Sequence, residues 1–195
     1  MLDRGIEAAL TAYVARLGRL HLDQDWTGFG EQFTPDAVYR RQRGRDAVGP
    51  AEIASLVRHT LTRFPGTRLA STQVTWQVVD RTEQTALFEV RHRLRDPGDG
   101  SEHAACTTSL LTYAGGGLWS GCHDMHSPRA YEEMTRGWLR AAERHSPLLR
   151  PTLREVAPSD HQSSSPASTD PATPVPSGTT VASSSLTTVK ATDEE

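Results

Sequence analysis

Acid-base chemistry near neutral pH needs an imidazole or a carboxylate held against an apolar surface, and this sequence offers eight histidines and 24 side-chain carboxylates for that role. Sheet register narrows the choice. Four runs rich in β-branched and aromatic residues, Leu69 to Val79, Thr85 to Leu94, Ala104 to Tyr113 and Leu118 to Met125, are separated by turn clusters. If the turns at Asp96 to Ser101 and Ala114 to Gly117 are symmetric, Arg95 faces Glu102 and Tyr113 faces Leu118. Phe88, Val90 and His92 then share a face with Thr107, Ser109, Leu111 and Tyr113, and with Leu118, Ser120, Cys122 and Asp124. That face is mostly apolar, so His92 points inward. Thr107 stands between it and Asp124, with a strand spacing of about 4.8 Å on either side. A one-residue bulge in the last strand would swap Asp124 for His123, and both remain candidates for orienting a partner or ligand. The opposite face carries Glu89, Arg91 and Arg93, a composition suited to solvent or to an oligomer contact.

Other side chains bear on a pocket less directly. Tyr39 and Tyr13 carry hydroxyls that can donate to a substrate carbonyl. Trp26, Phe33, Phe88 and Trp119 read as core first and pocket wall second. Arg40, Arg41, Arg43 and Arg45 form a basic cluster, either a solvated loop or a mouth that meets an anion. His21, His59, His103, His126 and His145 show no ligand spacing, so no metal is expected. Cys106 and Cys122 are too few for a disulfide scaffold and read as free thiols.

The elements that must position these residues follow from periodicity. Ile6, Leu10, Tyr13, Val14, Leu17 and Leu20 repeat at helical spacing and predict a long amphipathic helix. Trp26, Phe29 and Phe33 suggest a short second helix ending at Thr34-Pro35-Asp36, because the residue before a proline is pushed out of the α region. Asp36 to Arg40 reads as a strand. Gly49-Pro50 opens a third helix with apolar residues at Ile53, Leu56, Val57, Leu61 and Phe64, and Pro65-Gly66 stops it. After the four strands, Ser127-Pro128 gives an N-cap and a proline in the first turn, and Tyr131, Met134, Trp138 and Ala142 extend a closing helix. Helices gathered before an antiparallel meander must cover one of its faces. The class is therefore α+β: a curved antiparallel sheet wrapped over N-terminal helices as a cone-shaped barrel, with a cavity between the layers.

From Pro158 onward the chain is almost entirely Ser, Thr, Pro and Ala, which cannot bury enough apolar surface to offset the entropy of ordering. We expect one domain over residues 1–147 and a disordered tail over 148–195, in which Val181, Leu186 and Val189 interrupt the polar run. A net charge of −3 gives no general attraction to nucleic acid or to acidic membranes. The first ten residues place acids where a signal peptide would be apolar, and no run approaches a membrane span, which points to a cytoplasmic protein.

The run from Leu22 to Tyr39, with Asp23, Asp25-Trp26, Phe33 and Asp36-Ala37-Val38-Tyr39, resembles the opening of SnoaL-like proteins of the nuclear transport factor 2-like superfamily. Gly49 and Ile53 fit that family's start of the third helix, and the resemblance runs to about Trp138. The superfamily holds enzymes and a transport factor without catalysis, so fold alone does not settle function. The pattern is closest to the scytalone dehydratase and lindane dehydrochlorinase branch. There the catalytic Asp lies near the end of the first helix, where Asp23 falls, and the segment Ser120 to Pro128 resembles the end of that branch's last strand. The partner histidine of the branch falls on Arg68, which cannot shuttle a proton as imidazole does. In limonene epoxide hydrolase an acid follows a last-strand tryptophan by two residues, but here Gly121 follows Trp119 at that spacing. Ketosteroid isomerase needs an acidic base at the end of the first strand, where this chain has Arg40-Arg41.

The resemblance and the inward polar set together imply a cofactor-independent enzyme on a small hydrophobic metabolite, of dehydratase, isomerase or cyclase type. Asp23 and His92 are the expected acid-base pair, with Tyr39, Arg68, Trp26, Thr107, His123 and Asp124 positioning substrate. The alternative is a non-catalytic ligand-binding or assembly module of the same fold. Either form is expected to pair with a second copy through the exposed sheet face.

Overall fold

A computed structural model of the chain describes residues 5–42, 44–146, 148 and 151, and the backbone of residues 187–190. Three helices come first in space: α1 (Gly5–Asp23), the short α2 (Trp26–Gly30) and α3 (Gly49–Leu61). They cover the concave face of an unclosed sheet built from β1 (Phe33–Arg40), β2 (Ala47–Val48), β3 (Leu69–Asp80), β4 (Thr85–Leu94), β5 (Ala104–Gly115) and β6 (Leu118–His126). The sheet order is β2-β1-β6-β5-β4-β3, and α4 (Pro128–His145) packs on the far end. The α+β class and the helix-covered curved sheet stand as the sequence implies.

Local chemistry explains most boundaries. Ser127 caps α4 by accepting the Ala130 N–H at 3.2 Å, and Pro128 occupies the first turn, where its missing N–H costs nothing. Glu52 Oε2 accepts the Val48 N–H at 3.0 Å at the start of α3. Gly49 there has φ +76°, and an added Cβ would lie 2.7 Å from the Pro35 carbonyl oxygen, so glycine is required by both backbone and space. Phe33 does not belong to the second helix as expected. It opens β1 instead, because α2 ends at Gly30 and Phe33 pairs with Trp119.

The β4–β5 hairpin has the anticipated register, with Arg93 opposite Ala104 and Thr85 opposite Thr112. The β5–β6 hairpin does not. Gly115 pairs with Leu118, leaving Gly116 and Gly117 as a two-residue loop with φ +61° and +82°, the two positive values a type I′ turn demands. Irregularities around Tyr113 then set Tyr113 opposite Trp119, and Trp119 turns inward and fully buried where Leu118 and Ser120 were expected. Beyond the bulge Ser109 lies opposite Asp124 and Thr107 opposite His126, so Ser109 and not Thr107 is the immediate neighbour of Asp124. β1 joins the sheet beside β6 in parallel, with Tyr39 beside Cys122 and Arg40 beside His123.

Two clusters of buried side chains result. The larger one is centred on Tyr13 of α1, whose ring packs against Phe29 at 5.4 Å, Phe88 at 5.8 Å, Phe33 at 6.1 Å and Trp119 at 6.2 Å. The smaller one joins Leu69, Leu94 and Ala105 to Met134, Trp138 and Ala142 of α4. Trp138 anchors it: its ring packs on Phe64 at 5.6 Å, and its Nε1–H donates to the Arg95 carbonyl at 2.7 Å.

The expected tail falls almost wholly outside the described residues. Within it, Thr187–Lys190 forms a strand, β7, antiparallel to the outer edge of β3, with Trp76 opposite Lys190 and Val79 opposite Thr187. No helix among the described residues is long and apolar enough to cross a membrane.

Candidate active site

A cavity of about 340 Å³ lies where the two clusters meet. Leu17, Phe29, Leu56 and Val57 of the helices roof it, Leu69, Val90 and Leu94 floor it, and Met134 of α4 closes its end. Into this apolar space the sheet projects a row of polar groups, because alternation on β4, β5 and β6 turns every second residue inward. On β5 the inward positions run Ala105, Thr107, Ser109, Leu111 and Tyr113, all buried. Thr107 and Ser109 break an otherwise apolar series, and buried hydroxyls require partners.

Ser109 finds its partner in Asp124. Its Oγ–H donates to Asp124 Oδ1 at 2.6 Å, and the phenol of Tyr39 donates to Oδ2 at 2.5 Å. The Cys122 thiol lies 3.6 Å from Oδ1. Both carboxylate oxygens are thus acceptors for short, neutral donors. Every other acid-capable group around Asp124 is held in its protonated form. Burial, then the nearby Asp124 and Cys122, push the Tyr39 phenol far above its ordinary value, and burial does the same to Tyr13. Burial followed by the Asp124 charge raises the Cys122 thiol well above the usual range. Tyr39, Ser109 and the Cys122 thiol are donors, and the Asp124 carboxylate is their common acceptor.

The second polar group stands toward α4. Tyr131, in the first turn of α4, shares a hydrogen bond with Thr107 at 2.7 Å between hydroxyl oxygens. Its ring packs on His126 at 4.8 Å and on His92 at 6.3 Å. Burial raises the Tyr131 phenol to about 12. His92 is held below its ordinary value chiefly by burial, with His126 adding to the effect and Asp124 opposing it. It is therefore a neutral imidazole near pH 7, with one ring nitrogen to donate a hydrogen bond and the other to accept one. Gln42 is exposed and accepts the His126 backbone N–H at 3.2 Å, so this end of the cavity meets solvent.

The sequence-derived candidates divide cleanly. His92, Tyr39, Thr107 and Asp124 all line the cavity. Asp23 does not. It is exposed at the end of α1 and pairs with Arg19 at 3.5 Å. At about 100° per residue it lies roughly 80° around the helix from Tyr13, off the buried stripe. Arg68 sits in the 3-10 turn Gly66–Arg68 and is absent from the cavity wall, as is Trp26, which borders a surface depression between α2 and α3 with Thr27, Glu31 and Arg58. His123 pairs with Arg40 and Leu110 on the other face of the sheet. Sequence reasoning missed Ser109 as the partner of Asp124, and Tyr131 and His126 as wall. Among the described residues no group of three or more His, Cys, Asp or Glu could hold a metal ion.

Residues 6–119 match the model of the SnoaL-like domain. Two solved structures share the fold. One is an epoxide hydrolase of the LEH-like kind from M. tuberculosis, 16% identical, covering 76% of this chain and 96% of its own, with a TM-score of 0.54. The other is a candidate isomerase from Bacillus subtilis, 13% identical, covering 68% of this chain and 96% of its own, with a TM-score of 0.52. No curated protein sequence matches the chain.

Proposed function

The chain belongs to the SnoaL-like family, and from the cavity it encloses we propose that it is a cofactor-independent enzyme that moves a proton on a small, largely hydrophobic metabolite. One observation carries this reading: Asp124 accepts hydrogen bonds on both oxygens from Tyr39 and Ser109 in the wall of an apolar cavity that the neutral His92 also lines. Asp124 takes a proton from a carbon beside an electron-withdrawing group. The Tyr39 and Ser109 hydroxyls fix its orientation, so little reorganisation accompanies the transfer. His92 faces the same space; its neutral ring N–H donates a hydrogen bond to the oxygen on which charge develops, and the proton held on Asp124 is returned to the leaving hydroxyl or to the carbon that receives it. Elimination, isomerisation and aldol-type cyclisation all share that first step. This assignment moves the base from Asp23 to Asp124 and keeps His92.

The step is measurable without a known product. Incubating the protein with a panel of hydrophobic ketones and esters in D2O and following C–H exchange by NMR detects proton abstraction itself. Asp124→Asn should lower the exchange rate of any active compound by about 100-fold to 10,000-fold, Tyr39→Phe by less, and Asp23→Asn not at all. Exchange that survives in Asp124→Asn would sink the proposal.

The outer face of the sheet supports a second copy of the chain as partner. Leu87, Leu110 and His123 form one cross-strand row there, and Glu89, Thr108 and the exposed Met125 form the next. Apolar residues on a face turned away from the core suit a self-complementary contact.

A further inference from the structure

We propose that the ligand of this cavity carries a positive charge: a protonated amine on an apolar frame, its ammonium set against Asp124. The inference rests on the reading of Asp124 as the functional carboxylate, but not on any reaction.

Its starting point is a charge imbalance. Asp124 is the one Asp or Glu among the described residues of the cavity wall, and its hydrogen-bond partners are two hydroxyls and a thiol. Such neutral dipoles orient a carboxylate without cancelling its charge. Among the described residues no Lys, Arg or His nitrogen lies within 4.0 Å of it. The charged groups that could have served are committed elsewhere. Arg41, at the mouth, turns its guanidinium to the Arg45 carbonyl, with Nη2 at 2.9 Å and Nε at 3.2 Å. His92 is kept neutral by burial. His126 packs against the Tyr131 ring. A carboxylate in the wall of an apolar cavity with no cation beside it leaves an unpaired negative charge that a ligand can match by bringing the cation.

The walls favour the same ligand. Tyr13, Phe29, Tyr39 and Tyr131 all line the cavity, and the negative face of an aromatic ring attracts a cation that has left water. A carboxylate or phosphate on the ligand would meet Asp124 as a like charge with no compensating donor cluster. A neutral ligand would leave the imbalance as it is. A positive nitrogen also acidifies protons on the carbons next to it, so one carboxylate can hold the cation and take the neighbouring proton.

The test uses a matched pair of probes on the intact protein: 2-phenylethylammonium and 2-phenylethanol, alike in size and apolar frame and differing in charge. Titration calorimetry or ligand-observed NMR should give a dissociation constant at least about tenfold lower for the ammonium. In Asp124→Asn the two should bind within about twofold of each other. If the amide variant does not fold, the wild-type ratio alone decides. Equal affinity, preference for the alcohol, or no binding of the ammonium overturns the inference. A preference that survives unchanged in folded Asp124→Asn places the cation elsewhere and overturns it too. The two readings fail separately: loss of the charge preference leaves the D2O exchange result standing, and absence of exchange leaves the binding result standing.

Discussion

Replacing His92 with Gln removes one titrating group from the cavity wall and leaves the other histidines in place, so the difference in stability between the two proteins, followed against pH, isolates its contribution. Burial, with His126 beside it, holds the imidazole below its ordinary 6.5 in the folded chain, and the Asp124 charge opposes this. As the pH falls through about 6.5, the unfolded chain takes up a proton that the folded chain refuses. Uptake by the unfolded state favours unfolding. Stability from this group is therefore full above that pH and declines toward the lower folded pKa, below which the loss stops growing. One proton sets the steepest slope at about 1.4 kcal/mol per pH unit, roughly 3 to 8 °C in Tm for a domain of this size. Urea or thermal unfolding in steps from about pH 7.5 to about pH 5 measures it. The wild type should lose stability faster than His92→Gln across that window, and the His92 ring resonances should titrate below 6.5. A pH-independent difference, or a wild type that gains stability relative to His92→Gln as the pH falls, would refute the reasoning, because it would mean that the imidazole is solvated or that Asp124 stabilises its protonated form in the folded state.

The two cysteines should differ in reactivity. Cys122 is buried and its thiol is pushed far up, while Cys106 is half-buried on the outer face and raised less, by burial and then by Glu89. Native protein should label slowly and at Cys106 alone with a maleimide, as located by peptide mass mapping, and at both sites once unfolded; rapid native labelling of Cys122 would mean that the cavity opens freely. If the outer sheet face joins two copies, sedimentation should show a dimer that Leu110→Lys weakens by at least about tenfold, since like charges brought face to face cost several kcal/mol. A wild type that sediments as a monomer at high concentration would end that proposal.

Much of the fold was legible because its signals are local. The α4 boundary follows from Ser127-Pro128, the start of α3 from Gly49-Pro50, and the β4–β5 register from a turn whose flanking residues pair symmetrically. The β5–β6 turn misled for an equally local reason. Ala114 to Gly117 reads as a four-residue connection, yet the glycines allow a tighter turn, with the strands continuing to Gly115 and Leu118. The resulting bulge decides which side of β6 faces inward near its start, and so brings Trp119 into the core. Periodicity cannot report a bulge, because a single extra residue reverses the pattern without changing composition.

The site was half legible, and the missing half depends on a contact made across 85 residues of sequence, from Tyr39 to Asp124. Nothing in either segment announces the parallel pairing of β1 with β6 that creates it. The resemblance to the dehydratase branch drew the base to Asp23, but a carboxylate at a helix end serves a cavity only if it lies on the helix's buried stripe, and Asp23 lies to the side of Tyr13 and Leu20, paired with Arg19 in solvent. A stronger signal was present on β5. Thr107 and Ser109 occupy inward positions between Ala105 and Leu111, and hydroxyls in such places must have partners. Each finds one on a neighbouring element, Thr107 in Tyr131 and Ser109 in Asp124. Polar residues at buried strand positions therefore located both ends of the cavity's polar row more directly than the motif at the end of α1, because burial makes their hydrogen bonds obligatory while an exposed carboxylate is free to do nothing.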